Sequence, residues 1–178
     1  MHFPLNFSEI IHIFVHSSAF TVSSEKYNSK TLRIFRQVAR GVSGESLEPG
    51  ENDVVLFGRV SGGPGQKTDV VSVACARPQK IFVSDNPQDV DLYHWINFLF
   101  VLKDYQGIGY GRQILHKMEQ LLWYQSPATI RIESAMKAVV FFRKMGYVEV
   151  GEPIDCVHSS SALFRTLQIM EKPFKRAS

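Results

Sequence analysis

Apolar residues along the chain recur with two spacings, and the change from one to the other marks out the elements. Over residues 8–20, Ile10, Ile11, Phe14 and Val15 fall on one helical face, with Ser8 as a cap. Over 29–40, Leu32, Phe35 and Val38 or Ala39 repeat that face, and Gly41 to Gly44 and Glu48 to Glu51 then read as loop. Strand-like runs follow at Asp53–Val60 and Asp69–Ala76, with a turn signal at Gly62 to Gly65 between them. Ser84 to Gln88 is a further loop. The longest β-rich run is Leu92–Leu102; its later part is apolar on both faces, as a strand covered on both sides requires.

The second half alternates in type. A helix over 110–124 carries Ile114, Leu115, Met118, Leu121 and Leu122 on one stripe. Thr129–Glu133 alternates like a strand. A helix over 135–145 follows, with Ala135, Ala138, Val139 and Phe142 at i, i+3, i+4 and i+7 and Gly146 where a terminating glycine belongs. Tyr147–Val150 and Leu163–Met170 read as the last strands. These spacings predict an α/β chain with helices on both faces of a mixed sheet, in a single domain over 1–178.

Composition narrows the partners. A net charge of +3 is too mild to point to nucleic acid but suits an anionic ligand. Two cysteines, Cys75 and Cys156, make neither a zinc ribbon nor a disulfide scaffold, so no metal is expected and a reducing, cytoplasmic setting is. Runs such as Phe98–Leu102 fall far short of the roughly 20 residues that cross a bilayer, and the opening residues lack a basic leader, so no membrane association is expected.

The most informative segment lies between the strongest strand and an amphipathic helix, at Gln106-Gly-Ile-Gly-Tyr-Gly-Arg112. Glycines at 107, 109 and 111 let the backbone come close to a ligand. The first turn of a helix leaves amide N–H groups unpaired and adds partial positive charge, which suits a phosphate or pyrophosphate; Arg112 and Lys103 could add to it. The competing reading is a tight strand-to-helix turn without a ligand. A P-loop is excluded because no Gly-Lys-Ser/Thr follows, and a dinucleotide fingerprint because the spacing is Gly-x-Gly-x-Gly late in the chain.

Gln106 to Gly111 resembles the Gln/Arg-x-x-Gly-x-Gly/Ala signature of the GNAT superfamily of acetyl-CoA-dependent N-acetyltransferases. The flanks agree: Asn97–Val101 looks like the family's fourth strand, Ala138 to Tyr147 like its later helix and glycine turn, and Met170 to Phe174 like a common ending. Thr21-Val22, Tyr27 and Leu32 resemble the two-helix entry of one branch. The resemblance implies a single GNAT-like α/β domain with a mixed, mostly antiparallel central sheet flanked by helices on both faces. That fold normally opens with a strand, for which only Met1–Leu5 precedes the first expected helix.

By the same resemblance the co-substrate is acetyl-CoA. Backbone groups of Leu99, Phe100 and Val101 would meet the thioester and pantetheine, and amides of Gln106, Gly107, Ile108, Gly109, Tyr110, Gly111 and Arg112 the pyrophosphate. The proton-transfer positions depart from the family's pattern: Phe142 stands where a tyrosine is usual, Trp95 where a glutamate is, and Ala135 where an asparagine is. Substitutes are Glu133 at a strand end, with Ser134 beside it, and Asn97, placed with Leu99 and Val101 by strand parity to position a substrate or water. The implied activity is acetyl transfer to a primary amine of a small molecule or peptide by direct attack, with no nucleophilic residue required. A homodimer is compatible with this. The alternative is a catalytically degenerate acyl-CoA-binding or sensing module, which the three departures favour.

Overall fold

The computed structural model describes residues 19–62, 68–79, 93–156 and 162–175. Among these, eight strands form one sheet. β1 (Ala19–Glu25), β2 (Val54–Ser61), β3 (Thr68–Arg77) and β4 (Tyr93–Val101) lie side by side and antiparallel. β4 then pairs in parallel with β5 (Thr129–Ala135). The short strands β6 (Val148–Glu149) and β7 (Ile154–Asp155) pair with β8 (Thr166–Lys172), which runs antiparallel to β5. The sheet is therefore mixed and mostly antiparallel.

Helices cover both faces. α1 (Ser29–Ser43) packs Phe35, Val38 and Ala39 onto Val55, Phe57, Val73 and Cys75. On the opposite face, α2 (Tyr110–Gln125) and α3 (Val139–Lys144) bury Ile114, Leu115, Met118, Leu122 and Phe142 against Leu56, Ala74, Ile96 and Ile132. Two apolar layers back to back explain why β3 and the later part of β4 are apolar on both faces.

Several expectations shift. The helix expected over 8–20 lies outside the described residues except for Ala19 and Phe20, and these belong to β1. The first strand among the described residues is 19–25, and Met1–Leu5 lie outside them. Its register against β2, from Ala19↔Ser61 to Glu25↔Val55, outweighs local helical spacing. Thr21-Val22 lies on that strand and Leu32 on α1, so the expected two-helix entry does not hold for them. α1 runs one turn past residue 40: the Ser43 hydroxyl donates to the Ala39 carbonyl, and Gly44, at φ 81°, ends the helix with its N–H on the Arg40 carbonyl. β5 extends to Ala135, and a 3₁₀ turn over Met136–Ala138 delays α3 to Val139. Leu163 and Phe164 form part of a 3₁₀ turn, and β8 starts at Thr166. β7 has no counterpart in the sequence reading. The turn at Gly62 to Gly65, beyond Gly62 itself, and the loop at Ser84 to Gln88 lie outside the described residues.

Candidate active site

The feature that organises the site is a split in the sheet. β4 and β5 pair from Tyr93↔Thr129 to Ile96↔Ile132, and the pairing stops there. β4 stays on β3 to Val101, while β5 stays on β8 to Ala135. From Asn97 and Glu133 onward the two strands therefore have no register with each other, and backbone groups of β4 on that side are open to a ligand.

The split begins at an irregularity. Cys75 pairs with Phe98 and Ala76 with Ile96, which leaves Asn97 as the extra residue of a bulge. A bulge reverses the alternation of faces. Ile96 and Leu99 pack on the side of α2, whereas Phe98 and Phe100 pack on the side of α1. Parity counted along the sequence had put Asn97 with Leu99 and Val101. The structure instead turns its amide to Asp53, with Nδ2 donating to Oδ2 at 2.8 Å. Asp53 directly precedes β2 and alternates with Val55 and Phe57, which pack under α1, and it also accepts from the Gly50 N–H at 2.9 Å.

At the far end of β4 the chain turns into α2 through the glycine loop. Gly107 and Gly109 have φ of 81° and 93°, a region that side chains disfavour, and a Cβ at either would meet open space. Gly111 has no positive φ, and a Cβ there would meet the Phe141 ring and Val101 in ordinary contact. Gly109 caps α2 without a side-chain acceptor, and the first turn carries no acid. Its N–H groups are thus left for an anion. Gln106 does not point a side chain at that anion; its Nε2 donates to the Val101 carbonyl at 2.8 Å, tying the loop to the end of β4. Ile108 and Arg112 are exposed.

Sequence reasoning missed what holds this loop from behind. Phe20 of β1 stacks on Tyr110, the first residue of α2, with ring centroids 4.0 Å apart and planes 5° apart. It reaches there by crossing Gly58, where a Cβ would lie 2.5 Å from the ring and 2.1 Å from the Ser72 hydroxyl. A glycine within a strand was the available signal.

Of the remaining candidates, Glu133 is exposed at the mouth of the split and makes no hydrogen bond or ion pair among the described residues. Ser134 is buried, and its hydroxyl donates to the Ala135 carbonyl. Leu99, Phe100 and Val101 lie on β4 beyond the end of its pairing with β5. Phe142 is buried edge-on against Phe141 and Tyr147, and it is Phe141 that lies against Gly111. Trp95 sits with Tyr93 near the Arg131 guanidinium, which lies 3.7 Å from the Tyr93 ring centre and donates to Glu171 at 2.7 Å.

Beside the loop, a groove of about 360 Å³ between α2 and the end of α3 is lined by Arg112, His116, Lys144 and Lys172, with Glu119 at its wall. Glu119 is buried and accepts from Lys172 Nζ at 2.8 and 2.9 Å. Burial, and next the Glu119 carboxylate, hold the Tyr147 hydroxyl well above the ordinary tyrosine pKa. Among the described residues no three His, Cys, Asp or Glu side chains converge as a metal site would require.

Comparison with known proteins agrees with this architecture. Residues 79–158 match the family model described as acetyltransferase (GNAT) domain. No curated protein matches the chain in sequence. Among solved structures, the ribosomal-protein-S18-alanine N-acetyltransferase of Escherichia coli superposes with a TM-score of 0.63 at 16% identity, over 90% of this chain and 97% of that one. Arabidopsis thaliana Naa50 in complex with the bisubstrate analogue CoA-Ac-MVNAL gives 0.63 at 18% identity, over 86% and 99%. Arabidopsis thaliana NAA60 with a bisubstrate analogue gives 0.65 at 11% identity, over 87% and 100%. A parallel pair that splits, followed by a glycine loop opening a helix, is thus set in a shared architecture, and this chain has the acetyltransferase (GNAT) fold, with the family's sequence pattern over residues 79–158.

Proposed function

We propose that the chain transfers an acetyl group from acetyl-CoA to a primary amine. The observation that carries this reading is the continuous path from the split between β4 and β5 to the uncapped first turn of α2. Amides from Gln106 to Arg112 bind the pyrophosphate, the groove of Arg112, His116 and Lys144 takes the anionic nucleotide end, and backbone groups of Leu99, Phe100 and Val101 hold the pantetheine arm. Acetyl-CoA supplies an activated carbonyl; the new C–N bond forms as the C–S bond breaks, with no residue acylated. Glu133 accepts the proton that the amine gives up. Asn97 orients the acceptor side of the split, and the buried Ser134 hydroxyl, donating to the Ala135 carbonyl, fixes the end of β5 that carries Glu133. The E. coli and Arabidopsis neighbours are described with an alanine acceptor and with an acyl-peptide analogue, which supports a peptide amine; a small-molecule amine is the other class. A reducing compartment such as the cytoplasm suits the free Cys75 and Cys156, and a homodimer is compatible with the reading.

A second reading is favoured by one observation. Phe142 and Trp95 carry no proton to give or accept at positions where the family has such groups, so the fold would bind acyl-CoA without turnover.

Calorimetry with CoA, and thiol release over a panel of amines, test both. Gly109→Asp places a carboxylate in the anion site and should abolish CoA binding while the fold is kept. Glu133→Gln should lower kcat by about 10²-fold or more with little change in melting temperature. Unchanged CoA affinity in Gly109→Asp overturns the binding site. Normal turnover in Glu133→Gln removes that residue from the chemistry. CoA binding without turnover on any amine leaves the binding module.

A further inference from the structure

The carboxylate of Asp53 is not among the residues that the sequence pattern or the family match brings to the site, yet the fold delivers it there. It belongs to the loop that enters β2, and it meets Asn97, the bulged residue at which β4 parts from β5. The gap between the strands is open only beyond Ile96 and Ile132, so an arm anchored at α2 and running back along β4 must end beside Asn97. α2 and α3 cover one face of the sheet, and α1 covers the other over Val55, Phe57, Val73 and Cys75 but leaves Asn97 exposed, so an acceptor reaches the arm's end from the face of α1 beside Asn97. Asp53 lies on that other face: it precedes the β2 residues packed under α1, and its carboxylate is close enough to Cys75, which packs there, to raise the thiol's pKa further after burial itself. Cys75 therefore stays a neutral, fully buried thiol. Asp53 is part-exposed and makes no ion pair among the described residues. Its hydrogen-bond donors are all neutral: the N–H groups of Gly50 and Asn97, both on Oδ2, and the Cys75 thiol. They orient the carboxylate without neutralising it.

We propose that Asp53, oriented by Asn97, is the anchor for the acceptor's ammonium group, so that the acceptor is an amine that arrives as a cation on the face of α1. This rests on the acetyl-transfer reading and deepens it. Asp53 binds the charged form in the ground state; the exposed Glu133 across the split takes the proton that frees the nitrogen lone pair, and the second proton the nitrogen loses on attack goes to the departing CoA thiolate.

The test uses n-butylammonium chloride as probe, titrated into the full-length, ligand-free protein, with the side-chain amide resonance of Asn97 followed by NMR. The wild type should show a saturable shift, and n-butanol at equal concentration none. Asp53→Asn can still accept from Gly50 and Asn97 but has no charge; it should weaken butylammonium binding by about tenfold or more, read from backbone amides of residues 96–98. Asn97→Ala serves as a second variant, expected to weaken binding by less, through a carboxylate that is no longer aimed. With an amine substrate, Asp53→Asn should raise KM while leaving kcat and CoA affinity near the wild type, a split that a merely structural carboxylate would not give. Absence of a saturable shift, equal affinity in Asp53→Asn, or butanol binding as well as butylammonium overturns the anchor. If butylammonium binds through Asp53 but calorimetry finds no CoA binding, the acetyl-transfer reading fails and the cation site stands. If CoA binds and amines are acetylated but Asp53→Asn changes nothing, the anchor alone fails.

Discussion

Substituting Gly58 by alanine should disturb the glycine loop from more than a strand's width away. In a strand, alanine in place of glycine is by itself favourable by about 0.5–1 kcal/mol, because the unfolded glycine has more freedom to lose. Here the new Cβ would stand 2.1 Å from the Ser72 hydroxyl and 2.5 and 2.7 Å from two carbons of the Phe20 ring. The Ser72 hydroxyl can rotate away, since it is buried with no hydrogen-bond partner among the described residues to lose. The ring cannot yield without sliding off Tyr110. Overpacking of this kind costs about 1–3 kcal/mol, and the displaced stack about 0.5–1.5 kcal/mol more. The net loss is about 1–3 kcal/mol, which for a domain of this size is a fall in melting temperature of roughly 3–10 °C. Because Tyr110 opens α2, CoA affinity should fall by about two- to tenfold as well. The assay is a double-mutant cycle of Phe20→Ala and Gly58→Ala, read by thermal unfolding and calorimetry with CoA. With the ring already gone, Gly58→Ala should cost at least 1 kcal/mol less than in the wild type. Additive effects, or a Gly58→Ala protein as stable as the wild type, would refute this account.

Two further outcomes follow from buried polar groups. His94 is buried, accepts from the Gln79 N–H at Nδ1 and bonds the Ser126 carbonyl through Nε2, and burial lowers its pKa, only partly offset by the Ser126 carbonyl. The unfolded chain therefore takes up a proton before the folded one, so its contribution to stability is complete above about pH 6.5 and is lost as the pH falls from there toward the folded pKa. Denaturant titrations between pH 7.5 and 5 should show this loss, and His94→Gln should flatten it; equal slopes would contradict the assignment. Lys172→Met leaves Glu119 buried and charged, which should cost about 3–5 kcal/mol, whereas adding Glu119→Gln should recover most of that loss. A loss below 1 kcal/mol in the single variant, by denaturant unfolding, would mean that the pair is solvated.

Much of the site was legible before any coordinates. The glycines at 107 and 109 stand where positive φ is required, and a strand before them and an amphipathic helix after them follow from local spacing. These are short-range properties: a backbone conformation, a capping position, a period of 3.6 or 2. The ends of α1 and α3 were less legible, because the Ser43 and Gly44 cap and the 3₁₀ turn at Met136–Ala138 compete with simple periodicity over single turns. β1 was missed altogether: Ala19 and Phe20 were read into a helix and Thr21-Val22 into a helical entry, and only pairing with β2 decides the strand.

What the sequence by itself determined, then, is the class of the chain, its α/β order and the glycine loop between β4 and α2, since each rests on residues adjacent along the chain. The tertiary structure decided the rest. It ended the pairing of β4 and β5 at Ile96 and Ile132, inserted Asn97 as a bulge that reverses the faces beyond it, and brought Asp53 from 44 residues away to meet it. Strand register is a long-range property, and one extra residue in a strand turns every later side chain to the other face, so no count along the sequence could have placed Asn97 on the side of α1.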